Sequence, residues 1–196
     1  MPYQLYGLFL FALIGSITPG PNNILLFVSG QHFGVRKSLP LMIGIQTGFF
    51  VLLVLSALGV SALITARPGL HVVMKAVASA WLLYLAFRIW RMDRLQGDVA
   101  PRLITFSQAF FMQFINPKAW TLTLNGAAAF MPVYATPIAR ISAFIVVFIS
   151  VGIFSMTVWV NAGHALSRLV ASPATHRLLT TILALLLAST LIAVWM

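Results

Sequence analysis

Two short polar interruptions hold most of the side chains that could do chemistry within otherwise apolar sequence. The first is Thr18-Pro19-Gly20-Pro21-Asn22-Asn23, and the second is Asn116-Pro117-Lys118. Lys118 is the only ionisable side chain between Leu103 and Met131, and a full charge in hydrocarbon by default marks a ligand or ion pathway. Because proline lacks a backbone N–H, each interruption is expected to break a helix and expose backbone polar groups.

The two interruptions together supply the groups that a zwitterion needs. The first helix should end near Ile17 and restart at Asn22 or Asn23, which are good N-cap residues. A helix N-terminus carries partial positive charge suited to a carboxylate, and Lys118 adds a formal charge. Freed carbonyls and asparagine amides suit an ammonium group, so an amino acid is the predicted ligand. The predicted binding residues are Thr18, Pro19, Gly20, Pro21, Asn22, Asn23, Gln46, Asn116, Pro117 and Lys118.

Composition places the chain in a membrane. Of its 196 residues 61% are hydrophobic and 7% are charged, whereas a soluble domain has about 25% charged residues. The net charge of +10 comes from basic residues in loops between apolar segments, so it reports membrane orientation and does not indicate nucleic acid. The chain has no cysteine, which excludes a disulfide framework and thiol catalysis. No cofactor or metal site is predicted.

Six segments are apolar over about the 20 residues that a helix needs to cross a bilayer. They run over residues 3–28, 39–65, 70–89, 103–131, 138–163 and 176–195. The fold prediction is therefore an all-α integral membrane protein with a single transmembrane domain over residues 1–196. A five-span arrangement, in which the first segment is re-entrant, is the main competitor.

The sequence divides into two halves with three spans each, residues 1–95 and 103–196. An odd number of spans inverts the second half relative to the first. Pro19 and Pro117 each fall near the middle of the first span of their half, which is typical of an inverted-topology repeat with broken first and fourth helices.

Basic residues in the loops predict the orientation. One side would carry eight, namely Arg36, Lys37, Arg88, Arg91, Arg94, Arg102, Arg168 and Arg177, and the other would carry Arg67 and Arg140. The richer side is expected in the cytoplasm, which puts both termini of a six-span chain outside. The cluster at 88–94 is expected to contact anionic headgroups of membrane lipids. The spacing Gly44-xxx-Gly48 predicts close packing between helices. The same spacing is compatible with a homo-oligomer, which the sequence neither predicts nor excludes.

The two interruptions resemble those of the lysine exporter (LysE/RhtB-type) superfamily of bacterial amino-acid exporters. The resemblance covers the whole chain, and its specific parts are residues 18–23 in the first span and Asn116-Pro117-Lys118-Ala119 in the fourth. It implies a secondary transporter of the inner membrane that exports amino acids or close derivatives, energised by the proton gradient. Phe49 follows Gly48 where several family members carry a polar residue, and in this the chain is more similar to the branch exporting cysteine and O-acetylserine.

The positions of the acidic residues restrict the charge that we expect on the substrate. The only acidic residues, Asp93 and Asp98, lie in a polar loop, so no carboxylate in the spans could pair with a cationic side chain. We therefore predict a neutral substrate that is small or moderately apolar. Coupling to protons would need a titratable group in the spans, and Lys118 is the candidate because desolvation disfavours the charged form of a lysine. An enzyme is disfavoured, and an accessory subunit of a larger membrane complex is the alternative function.

Overall fold

The computed structural model describes residues 2–59, 68–91, 103–131, 136–167 and 173–195, and these residues fold as eight α-helices. The first three run from the N-terminus through the first interruption to Ala57. In order, the helices are α1 (Pro2–Ile17), α2 (Pro21–Lys37), α3 (Leu39–Ala57), α4 (Pro68–Arg91), α5 (Phe106–Ile115), α6 (Pro117–Phe130), α7 (Pro137–Ser167) and α8 (Pro173–Trp195).

Proline marks where most of these helices begin. Six of the eight start on a proline, which suits the first helical position because its N–H would have no partner there. The two prolines of Pro19-Gly20-Pro21 therefore do different things: Pro19 follows the end of α1, and Pro21 opens α2. Helix α5 instead begins with a capping box, in which Thr105 accepts from the backbone N–H of Gln108 and the Gln108 side chain accepts from that of Thr105.

Glycines allow the closest helix contacts. Helix α2 packs along α7, and a Cβ on Gly30 or Gly163 would overlap a backbone carbonyl of the opposite helix. Helix α3 packs on α5, where a Cβ on Gly48 would lie 2.6 Å from the Phe110 carbonyl oxygen. Within a bilayer lipid tails are as apolar as the side chains, so helix association depends on such close packing. The packing role predicted for Gly44 and Gly48 is confirmed.

Gly34 bends the last turn of α2 and makes no close contact of this kind with the described helices. Its φ of 75° and ψ of 173° fall outside the helical region, and the last turn of α2 bends there. Ser38 donates to the Gly34 carbonyl and pairs with the hydroxyl of Ser29. Gly30 therefore contacts α7, whereas Gly34 forms a turn.

Two apolar clusters flank the interruptions. One joins α2, α3, α4 and α8 and includes Ile24, Leu26 and Leu187; the other joins α1, α3, α6 and α7 around Leu52 and Phe148. Large apolar side chains also cover the outside, including Phe111, Ile138 and Ile192, each more than 60% exposed. An exterior of this kind suits hydrocarbon.

By length and hydropathy, α3 and α7 can each cross a bilayer, and α1 with α2 forms a third candidate span bent by 54° at its break. The all-helical prediction is confirmed for the described residues. The six-span count and the inverted repeat stay predictions. The part of the polar loop that holds both aspartates lies outside the described residues.

Candidate functional site

The first break separates α1 from α2 by three residues, Thr18 to Gly20. Gly20 is fully extended, with φ −176° and ψ 177°, and it takes the N-cap position of α2 without a side-chain cap. The predicted end at Ile17 is confirmed. The prediction that Asn22 or Asn23 caps the new helix is wrong, because Pro21 already occupies the first helical position and the helix begins one residue earlier.

Asn23 satisfies the end of α1 instead. Its side-chain amide donates to the carbonyl oxygens of Ser16 at 2.7 Å and Thr18 at 2.8 Å, and the residue is almost fully buried. Two side chains of α7 reach the same helix end. Ser155 donates to the Ser16 carbonyl at 2.8 Å, and the indole N–H of Trp159 donates to the Ile17 carbonyl at 3.1 Å. Side chains thus satisfy the carbonyl groups at the broken helix end.

Lys118 provides the last donor. Its ammonium group lies 2.6 Å from the Thr18 carbonyl oxygen, 2.9 Å from the Thr18 hydroxyl and 3.1 Å from the Pro19 carbonyl oxygen. All three partners are uncharged, and both carboxylates of the sequence lie outside the described residues. The C-terminal end of a helix carries partial negative charge, so the position stabilises the ammonium without neutralising it. The expectation that these carbonyls would be free for a ligand is wrong in this conformation.

The second break is a single residue. Asn116 is extended between α5 and α6, and its side-chain oxygen accepts from the Ala119 backbone N–H at 3.4 Å. The nearby Phe114 carbonyl accepts from the indole N–H of Trp120 at 2.9 Å. Asn116 therefore caps its own helix, and Pro117 and Lys118 form the first turn of α6.

Side-chain amides join the two breaks. Asn22 and Gln113 bond to each other in both directions, at 2.8 and 3.1 Å, and Asn116 donates to the Asn22 side-chain oxygen at 3.2 Å. Gln113 is fully buried and also donates to the Ala109 carbonyl. Because these partners lie more than 90 residues apart, the network fixes the two halves of the chain against each other at the level of the breaks.

A cavity of about 60 Å³ lies between the breaks. One water needs roughly 10–15 Å³ measured this way, so the space holds a few water-sized groups. Its wall includes the start of α2 and side chains of α3, α6 and α7, and the backbone N–H groups of Asn22 and Asn23 form no hydrogen bond to the described residues. Gln46 lines it too, donating to the Ile149 carbonyl at 3.1 Å and leaving its oxygen without a donor among the described residues.

The structure brings most of the predicted site residues together. The cavity between the breaks is lined by Gly20, Pro21, Asn22, Asn23, Gln46, Asn116 and Lys118. Thr18, Pro19 and Pro117 lie just beyond it, around a second and larger cavity that shares Pro21 and Lys118. None of the ten lies apart from the breaks, although their role in binding stays a prediction.

Three contributors were missed from the sequence. Gln113 carried a signal, since it is an uncharged polar residue in the middle of an apolar segment and lies one helical turn before Asn116. Ser155 and Trp159 gave none, because a serine and a tryptophan are common in membrane helices and their partners are 139 and 142 residues away.

Comparisons with known proteins agree with this geometry. Residues 13–194 match the family model described as LysE type translocator. Curated relatives named cysteine/O-acetylserine efflux protein include one from Salmonella paratyphi A, 29% identical over 95% of this chain and 94% of the relative. Others come from Shigella flexneri serotype 5b and Escherichia coli O1:K1, each 28% identical over the same shares. No solved structure matches the chain significantly.

The family match covers nearly the whole chain, including both breaks and every helix that borders the cavity. The predicted resemblance is confirmed, and so is the prediction of a membrane transporter rather than an enzyme. The chain is a member of the LysE-type translocator family.

Proposed function

We propose that this protein is a secondary transporter that exports a small neutral amino acid, or a derivative of one, from the cytoplasm. The observation that carries the proposal is the cavity between the two breaks, which has Lys118 and the start of α2 on its wall and no carboxylate among the described residues. The names of the relatives support it, since those proteins are described as exporting cysteine and O-acetylserine, two neutral amino acids.

The polar groups around the cavity suggest how a zwitterion binds. Its carboxylate is placed at the first turn of α2 and Lys118, where the N–H groups of Asn22 and Asn23 are available. Its ammonium group is placed near Gln46, whose side-chain oxygen has no donor among the described residues. The small volume leaves room for little more than these two groups.

Movement of Lys118 supplies a mechanism for alternating access. In this conformation the ammonium group binds the end of α1. A substrate carboxylate competes with those carbonyl oxygens for the same donor, and a formal negative charge is a stronger partner than a peptide oxygen. Transfer of Lys118 to the substrate would free the end of α1 to move. We propose that the protein does this in the bacterial inner membrane, as six spans that form an inverted repeat with both termini outside.

Efflux from cells tests the function. Cells are loaded with a mixed pool of labelled amino acids, and the loss of each is compared between the wild type and Lys118→Met at equal expression. We expect faster loss of a neutral amino acid with the wild type and a reduction of roughly tenfold or more with the variant, because a hydrogen bond to a charged group is removed. Lys75→Met is the matched control, since Lys75 packs on the ring of Trp195 away from the cavity.

Two results would reject the proposal. Wild-type cells that lose no amino acid faster than empty cells would exclude this substrate class. Equal losses of activity in Lys75→Met and Lys118→Met would show that the substrate does not bind at the break.

Proton coupling is proposed to pass through Lys118, because among the described residues it is the one titratable side chain on the wall of the cavity. Proteoliposomes of the purified wild type should accelerate efflux when a pH gradient is imposed. Residual transport by Lys118→Met should not respond. A full response in the variant would show that the coupling group lies elsewhere.

A further inference from the structure

A second cavity of about 370 Å³ lies on the other side of Lys118. Pro21, Lys118 and Leu122 line both spaces, so the two are neighbours with the lysine side chain between them. The larger one is also lined by Phe11, Thr121, Asn125 and Thr190. A molecule held at Lys118 can therefore place one part in the small cavity and another in the large one.

Helix α6 presents a polar face to the larger cavity. Lys118, Thr121 and Asn125 are spaced by three and four residues, so they lie on one side of the helix. The side chains of Thr121 and Asn125 are exposed, and neither forms a hydrogen bond to any of the described residues. A hydroxyl and an amide are thus available one and two turns beyond the ammonium group.

Helix α7 shows what the same residue types do where they line no cavity. Exposed Thr157 donates to the Ile153 carbonyl at 2.8 Å, and exposed Asn161 donates to the Thr157 carbonyl at 2.8 Å. Each satisfies itself on the carbonyl four residues before it, which is the usual solution for a polar side chain on an apolar helix surface. Thr121 and Asn125 do not adopt that solution, so their polar groups are left for an occupant of the cavity.

The chemistry of the lining defines that occupant. Threonine and asparagine can donate and accept, but neither carries charge, and Phe11 with Leu122 supplies an apolar wall. We propose that the larger cavity receives the side chain of the exported amino acid, and that Thr121 and Asn125 select side chains with a neutral hydrogen-bonding group over apolar ones of the same size. This inference rests on the proposed function and adds the residues that set its specificity.

The test compares substrates that differ in one polar group. Proteoliposomes of the purified protein are loaded with equal amounts of labelled threonine and valine, and separately with asparagine and leucine, since the members of each pair have nearly the same shape. We expect the polar member to leave faster through the wild type. Asn125→Leu and Thr121→Val should lower that ratio roughly three- to tenfold, the effect of one neutral hydrogen bond. The matched controls Asn161→Leu and Thr157→Val should leave it unchanged.

A gain of function separates selectivity from simple damage. Asn125→Asp places a carboxylate in the larger cavity, so it should admit a cationic side chain and begin to export labelled lysine, whereas Asn161→Asp should not. Unchanged ratios in both α6 variants together with no lysine export by Asn125→Asp would overturn the inference, and so would equal changes in the α7 controls. A wild-type protein that moves none of the four amino acids would instead reject the proposed function itself.

Discussion

Both breaks contain proline and asparagine, but their structures differ. The first spans three residues, and its carbonyl oxygens are satisfied by four side chains from α2, α6 and α7. The second is one residue long, and Asn116 caps the following helix with its own side chain. The first break therefore depends on distant parts of the chain, and the second is almost complete by itself.

Because their partners differ, the two breaks are expected to differ in function. A break held by distant side chains changes when those side chains move, and Lys118 is the one of the four that carries a charge. A self-capped break keeps its shape and holds the lysine at a fixed place in the first turn of α6. The proline pattern thus locates both breaks, but the partners of the freed carbonyls decide which one can respond to a ligand.

The largest expected effect on stability comes from Asn23→Leu. The substitution keeps the approximate size of the side chain but removes the donor to two carbonyls at a buried helix end. Each carbonyl keeps a second donor, Ser155 at Ser16 and Lys118 at Thr18, so the variant loses two hydrogen bonds at about 1 kcal/mol each and the free energy of unfolding should fall by about 2 kcal/mol. The melting temperature of the purified protein in detergent measures this, and a fall no larger than that of Asn116→Ala would remove the contrast between the breaks.

Trp159→Phe should have an intermediate effect. It keeps the ring in contact with Phe27 but leaves the Ile17 carbonyl without its donor, at a cost of about 1–3 kcal/mol. Ser155→Ala should cost less, because the Ser16 carbonyl keeps Asn23 as a partner. Melting curves of both variants, with Thr157→Val as the control on the same helix, check the order, and the reverse order would show that packing outweighs the hydrogen bonds.

Asn116→Ala tests the second break. It removes an N-cap and the bond to Asn22, and such a cap contributes about 1 kcal/mol. A decrease in the melting temperature smaller than that of Asn23→Leu is expected. If this variant instead proved the least stable of the series, the second break would be the one that depends on the rest of the fold.

Gly20→Ala should have the smallest effect on stability but should still reduce transport. The extended backbone at Gly20 suits alanine, but an added Cβ would lie 2.7 Å from the Cδ atom of Lys118, whose flexible side chain must shift. We expect a melting temperature close to that of the wild type and efflux reduced severalfold. Unchanged efflux would mean that the exact position of the Lys118 side chain does not matter. Gly69→Ala, where nothing lies within 4 Å of an added Cβ, is the matched control.

The sequence predicts where the helices break, and the reason is local. Pro19, Pro21 and Pro117 cannot donate to the helical ladder, so the positions follow from residue type alone. The sequence does not predict that Asn23 bonds the end of α1. An asparagine amide can cap the helix that follows it or bond the helix end that precedes it, and residue type does not distinguish the two. Contacts of Lys118, Ser155 and Trp159 with α1 span 100 to 142 residues, and nothing local specifies them.

The satisfied end of α1 also has a consequence for how the protein is made. Its hydrogen-bonding partners are supplied by α6 and α7, which the ribosome synthesises more than 90 residues later. Until then the carbonyls of Ser16 to Pro19 have only Asn23 as a side-chain partner, and hydrocarbon offers no other. The N-terminal segment is therefore expected to take up its final position in the membrane only after the second half of the chain has been made.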